Sequence, residues 1–103
     1  MKIITEKQYR KDYIKAIKQG KNINKLNNII RKLANNEKLE IKYRDHNLIG
    51  KYSGCRECHI EPDWILIYRL ENKKLILYLL RIGSHSDLFW INYNGFSFTF
   101  SHI

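Results

Sequence analysis

Trp64-Ile-Leu-Ile-Tyr68 begins a nearly continuous apolar run, and a second one follows at Leu75-Ile-Leu-Tyr-Leu-Leu80. Aromatic and β-branched residues favour strands, and apolar runs without polar alternation are typical of strands that are covered on both faces. We therefore predict two central strands, Trp64–Leu70 and Leu75–Ile82, joined by a hairpin turn at Glu71–Lys74.

The segment before this hairpin is predicted to form a third strand, Cys55–Glu61, followed by Pro62. Proline has no backbone N–H and cannot donate a ladder hydrogen bond, so it marks a strand end or a bulge. We expect this irregularity to re-aim the side chains of Asp63 and Trp64.

The first residues of the chain predict a strand followed by a helix. Lys2–Thr5 is a short β-branched stretch, and Thr5 and Gln8 have the spacing of a capping box that opens a helix. Gly20 is expected to end that helix. Four residues at helical spacing are predicted to share its apolar face: Tyr9, Tyr13, Ala16 and Ile17.

A second helix is predicted from about Ile23 to Leu33, with Asn35-Asn36 as its stop. The short spacing between the two helices implies a helical hairpin, which is expected to cover one face of the sheet. The next segment, Leu39–Gly50, has the mixed polar character of a loop, and we expect a short strand within it at Glu40–Tyr43.

The charge of the chain is unevenly distributed. The 103 residues are 44 % apolar and 28 % charged, which suits one domain with its own core, and the net charge is +9. Residues 1–44 contain 13 Lys and Arg against 4 Asp and Glu, whereas residues 45–103 contain 6 of each. This asymmetry indicates a polyanionic partner, most often nucleic acid.

Two cellular settings are disfavoured by the sequence. No apolar run approaches the roughly 18 residues of a membrane span, and the N-terminus lacks the apolar stretch of a signal peptide. We therefore expect a cytoplasmic protein without a membrane partner, with Cys55 and Cys58 reduced.

Cys55-Arg-Glu-Cys58-His59 matches the Cys-x-x-Cys-His pattern of covalent haem attachment. The only methionine is Met1, so no methionine is available as an axial ligand. Residues i and i+3 of a strand also lie roughly 10 Å apart on opposite faces, where two thiols cannot share a haem or a zinc ion. We expect no haem and no metal, and we expect Cys58 to be a small core residue.

Three histidines, His46, His59 and His85, are predicted at loops or strand ends, each near an aspartate in the sequence. An imidazole exchanges a proton near neutral pH, so histidines that converge on one cleft suit metal-independent acid–base cleavage of RNA. In that setting Trp64 and Phe89 are suited to stack on unpaired bases. Spacing alone leaves open the alternative that these histidines are ordinary surface or core residues.

Three segments in this order resemble the YafQ branch of the RelE-like toxins of bacterial toxin–antitoxin modules. They are Tyr43-Arg-Asp-His46-x-Leu48-x-Gly50, Arg56-Glu-Cys-His59-Ile-Glu-Pro62-Asp63-Trp64-Ile-Leu-Ile-Tyr68 and Gly83-Ser-His85-Ser-Asp-Leu88-Phe89. The resemblance covers residues 1–89, which we take as the toxin domain. Residues 90–103 are then a C-terminal extension, in which Trp90–Phe100 is uncharged and contains five aromatics around an Asn94-Gly95 turn signal. It is expected to form either a hairpin or a poorly ordered tail.

The resemblance implies an α+β domain of RelE-like fold, with an N-terminal strand and a two-helix hairpin packed on a mainly antiparallel four-stranded sheet. It implies an endoribonuclease that cleaves messenger RNA in the ribosomal A site without a cofactor. The implied partners are the ribosome, its mRNA and a cognate antitoxin of DinJ-like type with a ribbon-helix-helix N-terminus. The alternative is a non-cleaving protein of the same fold that binds ribosomal RNA or another target such as DNA gyrase.

The resemblance also implies a set of site residues. Asp63 is expected to act as general base and His85 as general acid, with His46 and His59 holding the scissile phosphate and its transition-state charge. His46 is the rival candidate for the base. The residues predicted to bind the substrate are Trp64, Phe89, Arg56 and Arg81.

Overall fold

The computed structural model describes residues 1–89, so both alternatives for Trp90–Phe100 lie outside the described residues. The two predicted long helices, the N-terminal strand and the three central strands occur in the predicted order, and β2 and α3 are additional. Two short 3₁₀ turns lie at Ile41–Tyr43 and Gly50–Tyr52. The elements are β1 Lys2–Thr5, α1 Lys7–Lys18, α2 Ile23–Ala34, β2 His46–Asn47, β3 Arg56–Glu61, β4 Trp64–Glu71, β5 Ile76–Gly83 and α3 His85–Leu88.

The sheet has five strands in the order β1-β5-β4-β3-β2, one more than predicted. Strand β1 runs parallel to β5, and the other neighbours are antiparallel. A parallel pair needs a long crossover between its strands, and here the α1–α2 hairpin lies in that connection. The α+β class and the mainly antiparallel sheet are therefore confirmed.

The short strand predicted at Glu40–Tyr43 was wrong. That segment forms the 3₁₀ turn Ile41–Tyr43, and the adjacent strand β2 is instead the pair His46–Asn47, which faces Glu57 and Arg56 of β3. Arg44, which follows the turn, has a left-handed backbone with φ of 52°. This conformation differs from the extended backbone of a strand, so β2 begins only after Arg44.

Both faces of the central strands are buried, which explains their continuous apolar sequence. The face toward α1 and α2 carries the larger core, which includes Cys58, Trp64, Leu66 and Tyr68. The opposite face carries a smaller cluster, formed by Leu48, Cys55, Ile65, Ile67, Leu88 and Phe89. The two cysteines thus lie in different clusters on opposite faces and do not share a ligand, and Cys58 is a core residue as expected.

The apolar face of α1 was predicted correctly except at one position. Tyr9 and Ala16 are buried, but Ile17 is 51 % exposed. At 3.6 residues per turn Ile17 lies about 80° around the helix from Tyr9, at the edge of the face. The capping box at Thr5 was also wrong, because Glu6 is the N-cap and the Thr5 hydroxyl accepts a hydrogen bond from Arg10 at 3.0 Å instead.

The turn between β3 and β4 agrees with the sequence prediction, whereas the turn between β4 and β5 ends one residue later than predicted. The register of β3 and β4 shifts between His59 and Glu61, which puts Pro62 and Asp63 in the turn at the end of β3, as predicted. In the other hairpin Leu75 is 62 % exposed with φ of 54°, so β5 begins at Ile76 rather than at Leu75. A left-handed residue in this turn matches the twist of the two strands.

Among residues 1–89 no helix is both long and apolar enough to cross a membrane.

Candidate active site

The candidate site lies on the sheet face opposite α1 and α2. Successive residues of a strand point to opposite faces, so Cys58 and Ile60 face the helices while Glu57 and His59 face the other side. Strand β2 adds His46 beside Glu57, and α3 adds His85. The site is therefore assembled from elements that are distant in the sequence.

Glu57 lies at the centre of three imidazoles and has no solvent exposure. Its Oε1 is 3.1 Å from Nε2 of His59 and 4.0 Å from Nε2 of His85, and its Oε2 is 3.7 Å from Nε2 of His46. Burial raises the pKa of Glu57 to about 7, although the positive charge of Arg44 opposes this. Near neutral pH this carboxyl group is therefore only partly ionised.

Glu57 was not among the site residues predicted from the sequence. An acidic residue in a strand is ordinarily exposed, so its type gave no reason to select it. Its spacing did carry a signal, because residues i and i+2 of a strand share a face and Glu57 is two residues before His59.

The backbone fixes the rings of His46 and His59. Nδ1 of His46 is 2.6 Å from the carbonyl oxygen of Arg44, and Nδ1 of His59 is 3.2 Å from that of Pro62. A carbonyl only accepts, so Nδ1–H donates in both rings and the Nε2 lone pair of the neutral ring faces Glu57. Burial is the main cause that lowers the pKa of His59, and the nearby charges of His85, Arg44 and His46 lower it further.

Asp63 fixes the third imidazole. Its Oδ1 accepts the backbone N–H of His85 at 3.0 Å and lies 3.2 Å from Nδ1 of the same residue. The backbone hydrogen bond is the main cause that lowers the pKa of Asp63, so this carboxylate stays ionised. The ring of His85 lies 5.5 Å from that of His59 and 5.8 Å from that of Phe89, measured between centroids.

A capping box holds the backbone of His85 in place. The hydroxyl of Ser84 accepts the backbone N–H of Asp87 at 3.2 Å, and the Asp87 carboxylate accepts the backbone N–H of Ser84 at 3.3 Å. These reciprocal bonds start α3 at His85 and fix the backbone that carries this side chain.

The two arginines predicted to bind the substrate pair with aspartates in this conformation. Arg56 contacts both Asp45 oxygens, at 3.3 and 3.2 Å, and Tyr68 donates its hydroxyl to the same carboxylate, so this network anchors the segment that carries His46. Arg81 pairs with Asp12 of α1 at 2.7 Å.

Trp64 is 1 % exposed in the core beneath the helices, so its ring offers no face to a base there. Stacking of Trp64 on a base therefore stays a prediction, and it requires the ring to become accessible. Phe89, by contrast, lies beside His85 at the edge of the site, although it is buried. The structure thus brings together His46, His59, Asp63, His85 and Phe89 and adds Glu57. It places Trp64 in the core and holds Arg56 and Arg81 in ion pairs with aspartates.

The site also has the donor set of a transition-metal centre. Glu57, His59 and His85 each offer one ligand atom, and these atoms lie within 4.8 Å of one another. Imidazole nitrogen combined with carboxylate oxygen suits ions such as Zn²⁺, Cu²⁺ or Ni²⁺, so the residues fit such an ion.

Helices on one face of a mainly antiparallel sheet, with histidines and carboxylates gathered on the other, define this chain as a toxin of RelE-like fold. Residues 1–90 match the family described as the bacterial toxin of a type II toxin–antitoxin system, YafQ. The chain belongs to this family.

Relatives and solved structures agree with this assignment. The mRNA interferase toxin YafQ of Escherichia coli K12 is 46 % identical over 83 residues, which cover 80 % of this chain and 88 % of the relative. The Escherichia coli DinJ–YafQ complex contains a chain with TM-score 0.78 and 42 % identity, with coverage of 84 % of this chain and 96 % of that one. A copper-bound mutant toxin from Helicobacter pylori has TM-score 0.81 and 40 % identity, with coverage of 86 % and 99 %.

Proposed function

We propose that this toxin is an endoribonuclease that cleaves messenger RNA in the ribosomal A site. The observation that carries this proposal is the convergence of His46, His59 and His85 around the buried Glu57, with Asp63 bonded to His85. Its Escherichia coli relative bears the name mRNA interferase, which supports the same reaction class for this chain.

The reaction uses the ribose of the RNA itself as the nucleophile. A base removes the 2′-OH proton, the 2′-oxygen attacks the adjacent phosphorus, and the bond from phosphorus to the 5′-oxygen breaks as an acid protonates that oxygen. The products are a 2′,3′-cyclic phosphate and a 5′-hydroxyl end. The chain must therefore supply one base, one acid and donors for the phosphate oxygens.

His85 is assigned as the general acid. Its Nδ1 is held by Asp63, so Nε2 of the protonated ring faces the centre of the site and carries the proton for the leaving oxygen. Asp63 fits the role of general base less well than the sequence suggested. Its lowered pKa makes it a weak base, and its Oδ1 is occupied by two hydrogen-bonding groups of His85. We therefore assign Asp63 as a positioning residue for His85.

The general base is then His46. Its Nδ1–H donates to the Arg44 carbonyl, which leaves Nε2, 3.7 Å from Oε2 of Glu57, as the proton acceptor. His59, between Glu57 and His85, is assigned to the scissile phosphate. The carboxyl group of Glu57 lies 3.7 Å from Nε2 of His46 and 3.1 Å from Nε2 of His59, so its negative charge would stabilise a proton taken up by either ring.

The partners follow from charge and from the relatives. Residues 1–44 carry the whole net positive charge, which suits ribosomal RNA and also an acidic antitoxin segment. The Escherichia coli relative was solved with DinJ, so we propose a cognate antitoxin for this chain as well.

Primer extension on mRNA translated by purified ribosomes tests the activity. We expect cleavage within the A-site codon by the wild type, none without ribosomes, and a single-turnover rate lower by about 10²–10⁴-fold in His85→Ala and His46→Ala. Intact mRNA combined with arrested translation would contradict the proposal and support the non-cleaving alternative.

A second capacity is transition-metal binding by Glu57, His59 and His85, favoured by their convergence and by the copper-bound Helicobacter pylori relative. Glu57, His59 and His85 would hold the ion, and an imidazole nitrogen bound to it could not transfer a proton, so binding would inhibit cleavage. Titration calorimetry with Cu²⁺ or Zn²⁺ tests this, with expected 1:1 binding that His59→Ala abolishes and inhibition that EDTA reverses. Equal binding by His59→Ala would contradict it.

A further inference from the structure

A cleft of about 400 Å³ opens next to His59, between the start of α2, the 3₁₀ turn Ile41–Tyr43 and the turn after β3. This volume is within the range of about 300–1,000 Å³ that small-molecule sites occupy. The lining residues on which the argument rests are Lys25, Lys42, Arg44, His59 and Glu61.

The cleft is positively charged. It has three cationic side chains, Lys25, Lys42 and Arg44, against the single carboxylate of Glu61. Lys25 lies 3.2 Å from Glu61 and already compensates that carboxylate. Among residues 1–89 the structure gives the guanidinium of Arg44 no ion-pair partner, so its charge is available to a ligand.

The backbone of Arg44 connects the cleft to the imidazole cluster. Arg44 has φ of 52° and ψ of 42°, a conformation that non-glycine residues adopt at a cost and that concentrates at functional sites. Its amide donates to Ile41 at 2.9 Å and its carbonyl accepts from the ring of His46. One residue therefore positions an imidazole with its backbone and lines the adjoining cleft with its side chain.

The charge of Arg44 reaches the same cluster. It lowers the pKa of His59 and opposes the rise in the pKa of Glu57. Arg44 and His59 also line the same cleft, so a phosphate bound at Arg44 would lie close to His59.

We propose that this cleft is a nucleotide subsite, in which Arg44, assisted by Lys25 and Lys42, binds the phosphate of the RNA nucleotide next to the scissile phosphate. The inference rests on the proposed function. A guanidinium offers paired N–H donors that match phosphate oxygens, and the two lysines add positive charge without a fixed hydrogen-bonding geometry. An RNA chain is favoured over an acidic protein segment because His59, which the proposed function assigns to the scissile phosphate, lines the same cleft.

A non-cleavable probe tests the subsite without relying on cleavage. The probe is a 2′-O-methyl adenosine trinucleotide, titrated into the ¹⁵N-labelled full chain at several salt concentrations. For the wild type we expect saturable shifts of the amides of residues 42–44 and 59–61. The variant Arg44→Asn suits this test because asparagine tolerates the left-handed backbone.

We expect Arg44→Asn to weaken binding about tenfold and to reduce the slope of log K against log salt by roughly 0.7–1, the value for one lost phosphate contact. Lys42→Gln should weaken binding in the same direction and keeps the test valid if Arg44→Asn does not fold. Lys73→Gln, an exposed lysine in the turn between β4 and β5, is the matched control and should bind as the wild type does.

The outcomes separate this subsite from the proposed activity. Wild-type affinity and salt slope in both Arg44→Asn and Lys42→Gln would overturn the subsite, as would no binding of the trinucleotide by the wild type. Loss of antitoxin binding alone in these variants would assign the cleft to a protein partner and also overturn it. Absence of cleavage on ribosomes would refute the activity while the trinucleotide result still decides the subsite.

Discussion

Oε1 of Glu57 lies 3.1 Å from Nε2 of His59, and the carboxylate that makes this contact is completely buried. A carboxylate in such a place is costly unless it is protonated or faces a cation. Here it faces three imidazoles, so the charge of the whole cluster depends on how many protons the four groups share. Stability and protonation are therefore linked at this site.

Replacing Glu57 with glutamine should flatten the pH dependence of stability. The pKa of Glu57 is about 7 in the folded protein against 4.5 for the ordinary group, so the folded state binds this proton more tightly than the unfolded state does. The resulting stabilisation is complete below about pH 4.5 and disappears as the pH rises through about 7, and it amounts to about 3 kcal/mol. The amide of the variant does not titrate, so this contribution is absent from it.

Urea unfolding at about pH 5 and about pH 8, in the presence of EDTA, measures this effect. The free energy of unfolding of the wild type relative to Glu57→Gln should fall with rising pH by an amount of the order of the linkage energy. Parallel curves for the two proteins would show that Glu57 titrates normally.

Asp63→Asn and His85→Ala should not have additive effects on cleavage. Asp63 acts through His85 in our assignment, so Asp63→Asn should reduce the single-turnover rate less than His85→Ala does. The double variant should be no slower than His85→Ala alone, because residues that act as a unit are non-additive. A further large loss in the double variant would restore Asp63 as the general base.

The elements predicted correctly are those whose sequence pattern reflects their surroundings directly. Strand β4 was found because burial on both faces requires an apolar residue at every position from Trp64 to Tyr68, and all of them are buried. The same burial bears on the predicted role of Trp64, which stays a prediction. Its type suits base stacking, but its parity along the strand places it toward the helices.

The missed features depend on contacts between distant segments. Strand β2 has two residues, too few for a periodic pattern, and it exists because His46 and Asn47 pair with β3. The sequence around Glu57 is typical of a surface residue, and its role depends on β2 and α3, which place His46 and His85 next to it. Asp12 and Arg81 are 69 positions apart, and nothing local connects them.

Removal of Asp12 should destabilise the fold. Its carboxylate is 8 % exposed and accepts from Nε of Arg81 at 2.7 Å, from Nη2 at 3.2 Å and from the backbone N–H of Ile82 at 3.1 Å. Asp12→Ala leaves those donors without their acceptor between α1 and β5, which should cost about 2–4 kcal/mol.

Thermal unfolding measures this loss against a matched control. Glu40→Ala removes the carboxylate of an exposed ion pair with Lys32 and should cost less than about 1 kcal/mol. Equal melting temperatures for Asp12→Ala and the wild type would contradict the prediction for Asp12.

Both cysteines should be unreactive in the folded protein. Cys55 and Cys58 are buried, and burial raises the pKa of each thiol, so little thiolate is present at neutral pH. Titration with a thiol-reactive disulfide reagent should detect no rapid reaction in native protein and two thiols after unfolding in guanidinium. Cys58→Ala should lower stability by about 1–2 kcal/mol, since a small apolar group is removed from a tightly packed core. Rapid labelling of the native protein that Cys58→Ala abolishes would show that the strand bearing His59 opens readily. The assigned chemistry depends on a rigid imidazole cluster, so this result would contradict it.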